Sequence, residues 1–298
     1  YVLGLEVVLP NGQILDIGAR TMKSVAGYDL TRLFVGSEGT LGVITKIIVK
    51  LIPLPEAKKT MLAVFDDLYK ASETVAQVFM AGIVPTTLEL LDNIYIRNIE
   101  EYAKVGLPVD AEAVLLIEVD GDALVLDKQI NTISKICKEQ GAQEVKVAQN
   151  EKEADDLWVA RRAAFASVSR VKPTIIGEDC TVPRDKIPEV VQKIRDISKK
   201  YDVIIAILGH AGDGNLHATL LADERDKEEM ERVDKAAEEI FKATIEAKGT
   251  LTGEHGIGRV KSKYLHLEVG QEGLELMRTI KRAIDPNNIL NPGPLLGE

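Results

Sequence analysis

The chain opens with alternation of period two: Leu3, Leu5, Val7 and Leu9 are apolar at every second position, Pro10-Asn11-Gly12 supplies a turn, and Gln13 to Ile17 returns. That pattern predicts a β-hairpin. A polar loop from Thr21 to Tyr28 leads to a short predicted helix over Asp29–Phe34, and the β-branched run Val43–Leu51 predicts a strand ending at Pro53 and Pro55. Beyond residue 55 the period switches repeatedly between two and 3.6. Strands are predicted at Met61–Phe65, Thr86–Leu91, Ala113–Val119, Glu144–Ala148, Thr174–Val182, Val203–Leu208 and Leu216–Leu221. Helices are predicted at Leu68–Met80, Asn93–Ala103, Leu124–Glu139, Glu151–Arg170, Ile187–Lys200, Lys227–Lys248 and Gly273–Ile284. This order reads as β-α-β-β-α-β written twice, an α+β ferredoxin-like arrangement with helices on one face of a largely antiparallel sheet. Three segments are expected: 1–55, 56–272 and 273–298. In the last, Asp285 to Pro294 is too rich in Pro and Asn for a regular element and is expected to pack as an extended strap.

Composition narrows the partners. The 298 residues carry 37 basic and 47 acidic side chains, a net charge of -10. Nucleic acid and anionic membrane surfaces are therefore poor partners. Cys137 and Cys180 share no CxxC spacing, so neither a disulfide framework nor a cysteine metal site is expected. No apolar run approaches a transmembrane length and no secretory leader is read, which makes the cytoplasm the expected compartment. The chain starts at Tyr1 already reading as strand, as though numbering begins inside a domain.

The chemistry concentrates in two glycine-bounded loops. Gly209-His210-Ala211-Gly212-Asp213-Gly214-Asn215-Leu216-His217 holds two of the four histidines, and Thr252-Gly253-Glu254-His255-Gly256-Ile257-Gly258 holds a third. The glycines rule out a helix between His210 and His217, so a loop entering the strand brings both imidazoles together and places His217 and Thr219 on one face. Two histidines and a carboxylate make a three-ligand set with coordination positions left open. His210, His217 and Glu254 are thus the expected ligands of a divalent metal, with zinc, iron and manganese all suited. An α-hydroxy acid can chelate such a cation, and His255 is the expected base for its hydroxyl proton. Asp213 reads as a turn residue or a support for the ligands, and His266 as structural. Trp158-Val159-Ala160-Arg161-Arg162-Ala163-Ala164-Phe165 offers arginines that suit a carboxylate clamp. The bland reading there is a solvated helix face over Trp158 and Phe165 in the core. Gly36-Ser37-Glu38-Gly39-Thr40-Leu41-Gly42 runs into a strand rather than a helix, so it matches neither the P-loop nor the dinucleotide fingerprint.

Five motifs in this order carry a resemblance: Lys23 to Leu30, Gly36 to Gly42, Gly209 to His217, Gly253 to Gly258, and Asn291-Pro292-Gly293. Together they resemble the FAD-linked 2-hydroxy acid dehydrogenases of the vanillyl-alcohol-oxidase type, the D-lactate dehydrogenases and the flavin subunit of glycolate oxidase. The resemblance implies that 1–55 is the C-terminal part of an FAD-binding domain, 56–272 a cap domain, and 273–298 a tail returning to the FAD domain. It implies the ligands His210, His217 and Glu254, the base His255, and Arg161 at the substrate carboxylate. It places Gly36, Glu38, Gly39, Gly42 and Ile44 in a flavin-contacting segment and Asn291 near the flavin ring. The family's pyrophosphate loop lies upstream of the hairpin, so this stretch alone is expected to bind FAD poorly. Relatives acting on hydroxyglutarate carry a basic residue near Ile176-Gly177, and its absence points to a small monocarboxylate such as lactate or glycolate. The implied activity is oxidation of that acid to the 2-oxo acid, with electrons passing to an electron-transfer flavoprotein or an iron–sulfur subunit. A metal-dependent hydrolase using the same ligands, and a flavin-free fragment serving as an interaction module, are the competing expectations.

Overall fold

The computed structural model describes residues 1–293 and 296, and the chain divides into two compact units, Tyr1–Pro53 with Glu254–Glu298, and Leu54–Gly253. In chain order the elements are β1 (Val2–Val8), β2 (Ile14–Gly18), α1 (Leu30–Phe34), β3 (Val43–Val49), β4 (Ala57–Phe65), α2 (Leu68–Met80), β5 (Thr87–Asp92), α3 (Asn93–Ala103), β6 (Ala113–Gly121), α4 (Ala123–Glu139) and β7 (Glu144–Val147). They continue with α5 (Glu151–Val168), β8 (Thr174–Thr181), α6 (Ile187–Tyr201), β9 (Ile204–His210), β10 (Asn215–Ala222), α7 (Lys227–Glu246) and α8 (Leu265–Ile284).

The larger unit is a seven-stranded antiparallel sheet in the order β7-β4-β6-β5-β9-β10-β8. Its first four strands follow the ferredoxin-like order (last, first, third, second), with α3 inserted between β5 and β6. The second half repeats that order through β8, β9 and β10, but its fourth strand shrinks to two bridges, Thr181 with Thr250 and Asp179 with Thr252. The halves meet at their equivalent strands β5 and β9, through Glu89 opposite His210, Leu90 opposite Gly209 and Leu91 opposite Leu208.

The two faces of the sheet are read from the alternation. On one face Met61, Phe65, Leu90, Leu115, Ile117, Ile207 and Leu220 are fully buried, and α2, α4, α6 and α7 form the helical layer. The other face is also covered, which differs from the single helical layer expected. There α3 and α5 pack on each other, burying Ile96, Ile99, Ala160, Ala164 and Val168 against Leu62, Leu91, Leu116 and Leu208. The composition of α5 explains the difference: its alanines at helical spacing make a narrow apolar stripe that fits close against α3. Five helices of this unit start on a side-chain cap, from Asp67, Asp92, Asp122, Asn150 and Asp226, each accepting from a backbone amide in the first turn. Cys137 lies in the core side of α4, where burial pushes its thiol up to about 12. Among the described residues no helix is long and apolar enough to cross a membrane.

The smaller unit is a three-stranded antiparallel sheet, β2-β1-β3. Leu5, Val7, Phe34 and Leu41 form its core, with Ile280 and Ile284 of α8 packed against them. Helix α8 starts eight residues before the expected Gly273 and is broken at Gly270, whose φ of 72° and ψ of 170° are not helical. The segment after α8 is a compact turn, not the extended strap expected. Asp285, 2% exposed, pairs with Lys281 and accepts from the amides of Ile289 (3.2 Å) and Leu290 (2.8 Å). Lys281 in turn donates to the carbonyls of Thr40 (3.0 Å) and Leu290 (2.8 Å). An ammonium buried to this degree must satisfy each of its donors, and this curls the chain back on itself. The Pro294 end of the expected strap lies outside the described residues.

Asp92 is the side chain that carries the seam beyond its three residue pairs. Fully buried, it accepts from Tyr95 N (3.1 Å) at the start of α3 and from Ile207 N (2.9 Å) on β9. Burial pushes its carboxyl up to about 6, against the opposing pull of those two amides. Asp92→Ala leaves two buried amides without an acceptor and is expected to lower unfolding stability by about 2–4 kcal/mol in urea titration.

Candidate metal and substrate site

The turn between β9 and β10 is the structural core of the histidine loop. Residues Ala211–Asp213 make one 3-10 turn and Gly214 closes it with φ 80°. A Cβ at Gly214 would stand 2.0 Å from the carbonyl oxygen of Val182, so only glycine permits this return. The turn sets His210 at the end of β9 and His217 in β10, opposite Leu208. The two imidazoles are thereby diagonal neighbours on one face, with ring centroids 5.2 Å apart and planes at 88°. Asp213, inside the turn, is exposed.

Each histidine has a buried carboxylate across from it on the neighbouring strand. Opposite His210, Glu89 places Oε1 2.5 Å from His210 Nδ1, and its Oε2 accepts from Arg161 Nε at 2.7 Å. Burial raises the Glu89 carboxyl, but the His210 hydrogen bond and the Arg161 charge outweigh it and hold it below the usual carboxylate range. Opposite His217, Asp179 lies with Oδ1 3.8 Å from Nδ1. Asp179 has no exposed surface and also accepts from Asn215 Nδ2 (2.5 Å), Thr252 Oγ1 (2.8 Å) and the amide of Gly253 (3.0 Å). A carboxylate bonded to Nδ1 is the usual partner of a metal-binding imidazole, and at His210 it points to Nε2 as the coordinating nitrogen; Asp179 stands near His217 Nδ1 but beyond hydrogen-bond distance. The donor set therefore fits a divalent cation.

Arg161, on α5, joins this group through Glu89. Its contact uses Nε, so the Nη1–Nη2 edge is a separate fork for a substrate carboxylate. Arg162, one residue on, is exposed on the solvated side of α5, and Phe165 is 68% exposed rather than in the core. Trp158 is partly buried and donates to Glu118 Oε2 at 2.9 Å. Glu254 and His255 belong to the smaller unit and follow directly on Gly253. Their side chains are about half exposed, with His255 Nε2 3.7 Å from Glu254 Oε1. His266 is exposed in the first turn of α8.

Within the smaller unit, Glu38 ties three loops together. Its carboxylate accepts from the amides of Ile257 (2.7 Å) and Gly258 (2.9 Å), and its carbonyl accepts from Asn291 Nδ2 (2.8 Å). Gly36, Ser37, Glu38 and Leu41 border a cavity of about 470 Å³ whose apolar wall includes Met277 and Ile280 of α8. Gly36 and Gly39 have positive φ, with no atom near the position a Cβ would take. At Gly36, which lines the cavity, open backbone beside an apolar wall suits a planar aromatic cofactor such as a flavin. Gly42 has a different reason to be glycine: a Cβ there would meet Val7 Cγ1 at 2.4 Å, so packing against β1 dictates it. Ile44 is 38% exposed on β3 and pairs with Val7.

Sequence reasoning missed Glu89 and Asp179. A signal was present in both cases: Glu89 interrupts the apolar strand Leu88-Glu89-Leu90-Leu91, and Glu178-Asp179 places two acids in succession in β8. A charge inside a strand that is otherwise buried requires a specific partner.

Residues 54–295 match the family described as FAD linked oxidases, C-terminal domain. The chain belongs to that family. Over all 298 residues it is 52% identical to the glycolate oxidase subunit GlcD of Bacillus subtilis (strain 168), of which it covers 63%. It is 38% identical over 292 residues to the glycolate oxidase subunit GlcD of Escherichia coli (strain K12), covering 98% of this chain and 58% of that one. Identity to the mitochondrial D-lactate dehydrogenase [cytochrome] of Arabidopsis thaliana is 33% over 298 residues, covering 99% of this chain and 52% of that one. Among solved structures, a substrate-bound p-cresol methylhydroxylase superposes with a TM-score of 0.77 at 17% identity, over 100% of this chain and 65% of that one. At that identity the likeness speaks for the fold alone. The antiparallel α+β architecture expected from the sequence is the one found.

A carboxylate bonded to two amides holds them by about 1.5–3 kcal/mol each. In Glu38→Ala, hydrogen exchange at the amides of Ile257 and Gly258 is therefore expected to accelerate at least about tenfold, while amides in β1 and β3 keep their protection.

Proposed function

We propose that the protein carrying this chain oxidises a small 2-hydroxy acid of the lactate or glycolate type to the 2-oxo acid, as an FAD-linked dehydrogenase with metal assistance. In this reading residues 1–55 complete an FAD-binding domain, 56–272 are the cap, and 273–298 return to the FAD domain. The observation that carries it is the convergence of His210 and His217, each opposite a buried carboxylate, beside an arginine with a second fork to offer. Relatives named as glycolate oxidase subunits and D-lactate dehydrogenases support the substrate class, and β8 carries no cation at Ile176-Gly177 that would suit a second carboxylate.

His210, His217 and Glu254 would hold the cation, which when bound lowers the pKa of a coordinated hydroxyl. Gly36, Glu38, Gly39, Gly42, Ile44 and Asn291 would line the flavin, which when bound is the hydride acceptor. Arg161 binds the substrate carboxylate through its Nη1–Nη2 edge and so fixes which way the α-carbon faces. His255 takes the hydroxyl proton as the general base. The electrons leave for a protein acceptor, an electron-transfer flavoprotein or an iron–sulfur subunit, and the cytoplasm is the proposed compartment.

The test uses the longest natural protein that contains this chain. Purified, it should show a flavin absorption spectrum, bind about one divalent metal by elemental analysis, and reduce an artificial electron acceptor with glycolate or D-lactate. Loss of the general base typically costs about 10²–10⁴-fold, so His255→Ala should lower kcat by that factor with flavin content unchanged. Metal without flavin would give preference to a hydrolase instead. Unchanged turnover in His255→Ala would remove the base from the assignment.

A further inference from the structure

We infer that Glu89 is a positioning residue that sets two groups of the site at once, the imidazole of His210 and the guanidinium of Arg161; this rests on the functional reading above. The geometry is specific. Glu89 stands in the interior of β5, 4% exposed, in register with His210 across the seam of the sheet. Its two oxygens are divided between two partners, Oε1 to His210 Nδ1 at 2.5 Å and Oε2 to Arg161 Nε at 2.7 Å.

Other buried acids of the sheet are used differently. Asp92, three residues along β5, spends its oxygens on the backbone amides of Tyr95 and Ile207. Glu118, on β6, receives Thr60 Oγ1 and Trp158 Nε1. Those contacts hold secondary structure and packing. The partners of Glu89 are a proposed metal ligand and a proposed substrate clamp.

The chemistry follows from the acceptor count. An ionised carboxylate accepts at both oxygens and donates at neither. His210 is therefore held in the tautomer with its proton on Nδ1, which assigns Nε2 to the metal. Arg161 is held by Nε, which turns its Nη1–Nη2 edge outward from β5. A glutamine at this position has one acceptor and one donor, so an amide N–H would confront either the His210 or the Arg161 N–H. One of the two partners must then rotate away. An aspartate keeps the charge but is one methylene shorter and cannot span both partners from the same Cα. Because one carboxylate serves both groups, metal affinity and substrate affinity should fall together on its replacement.

The experiment measures zinc and manganese affinity by competition with a chromophoric chelator, and KM and kcat with glycolate and D-lactate, in the unmodified protein, Glu89→Gln and Glu89→Asp. Thermal unfolding checks that each variant is folded. Replacing an outer partner of a metal-binding histidine typically costs about 10–100-fold in metal affinity, so Glu89→Gln should weaken both ions by that factor and raise KM at least about tenfold. Glu89→Asp should lie between. A Glu89→Gln protein whose metal affinity and KM both stay within twofold of the unmodified one overturns the assignment and leaves the functional reading standing. Failure of the unmodified protein to take up either ion overturns the functional reading and this assignment with it. Should Glu89→Gln not fold, the unmodified metal-free protein decides by ¹H–¹⁵N NMR of the His210 ring: the assignment expects the proton on Nδ1, and a proton on Nε2 alone sinks it.

Discussion

Three residue pairs join the two halves of the seven-stranded sheet, and the outermost of them sets a buried glutamate opposite a histidine. A cross-strand neighbour in an antiparallel pair has Cβ atoms only about 5 Å apart, so the register of β5 against β9 is also the geometry of the Glu89–His210 contact. A slip of one residue would reverse the face of every side chain on β9 and send His210 into the helical layer on the other side. Asp92 guards against that slip by taking the amide of Ile207, where the ladder itself has ended. The site is therefore built into the sheet rather than attached to it.

That placement has a cost which the surrounding contacts offset. Glu89 and Asp179 are acids with almost no exposed surface, and such groups are tolerated only when fully bonded. Glu89 is satisfied by Arg161 and His210; Asp179 by Asn215, Thr252 and Gly253 as well as its neighbour His217. The Asp179 contacts also lie where the second half of the sheet has two bridges in place of a full fourth strand. Thr252 and Gly253 both bond to the Asp179 side chain, and the Gly253 amide also reaches the Asp179 carbonyl (3.1 Å), so the pairing gathers on one residue of β8 where the Gly253–Gly258 motif begins.

The smaller unit follows the same logic with different residues. Lys281 is buried and must place its donors, so it gathers Thr40, Asp285 and Leu290 around the end of α8. Glu38 does the converse with acceptors, holding the amides of Ile257 and Gly258 and, through its carbonyl, Asn291. Three motifs far apart in sequence are thus joined by two charged side chains. A carboxylate is better than a neutral side chain here because it accepts from two adjacent amides at once.

Much of this was legible in the chain. Period-two and period-3.6 apolar spacing mark the strands and helices of the larger unit to within a few residues, because each element buries one face against a common sheet. The glycine-bounded histidine loops stood out because a scarce residue type sat beside residues that permit tight turns. The second helical layer was not legible, since the alanine stripe of α5 is too small to show as a strong apolar face. Nor was the turn after α8, which depends on where one buried lysine finds its acceptors. By itself the sequence determined the elements, their α+β class, and that His210 and His217 share a loop. Only the tertiary structure decided that Glu89 and Asp179 stand opposite them. That pairing is set by strand register between segments more than 30 residues apart, which no local pattern encodes.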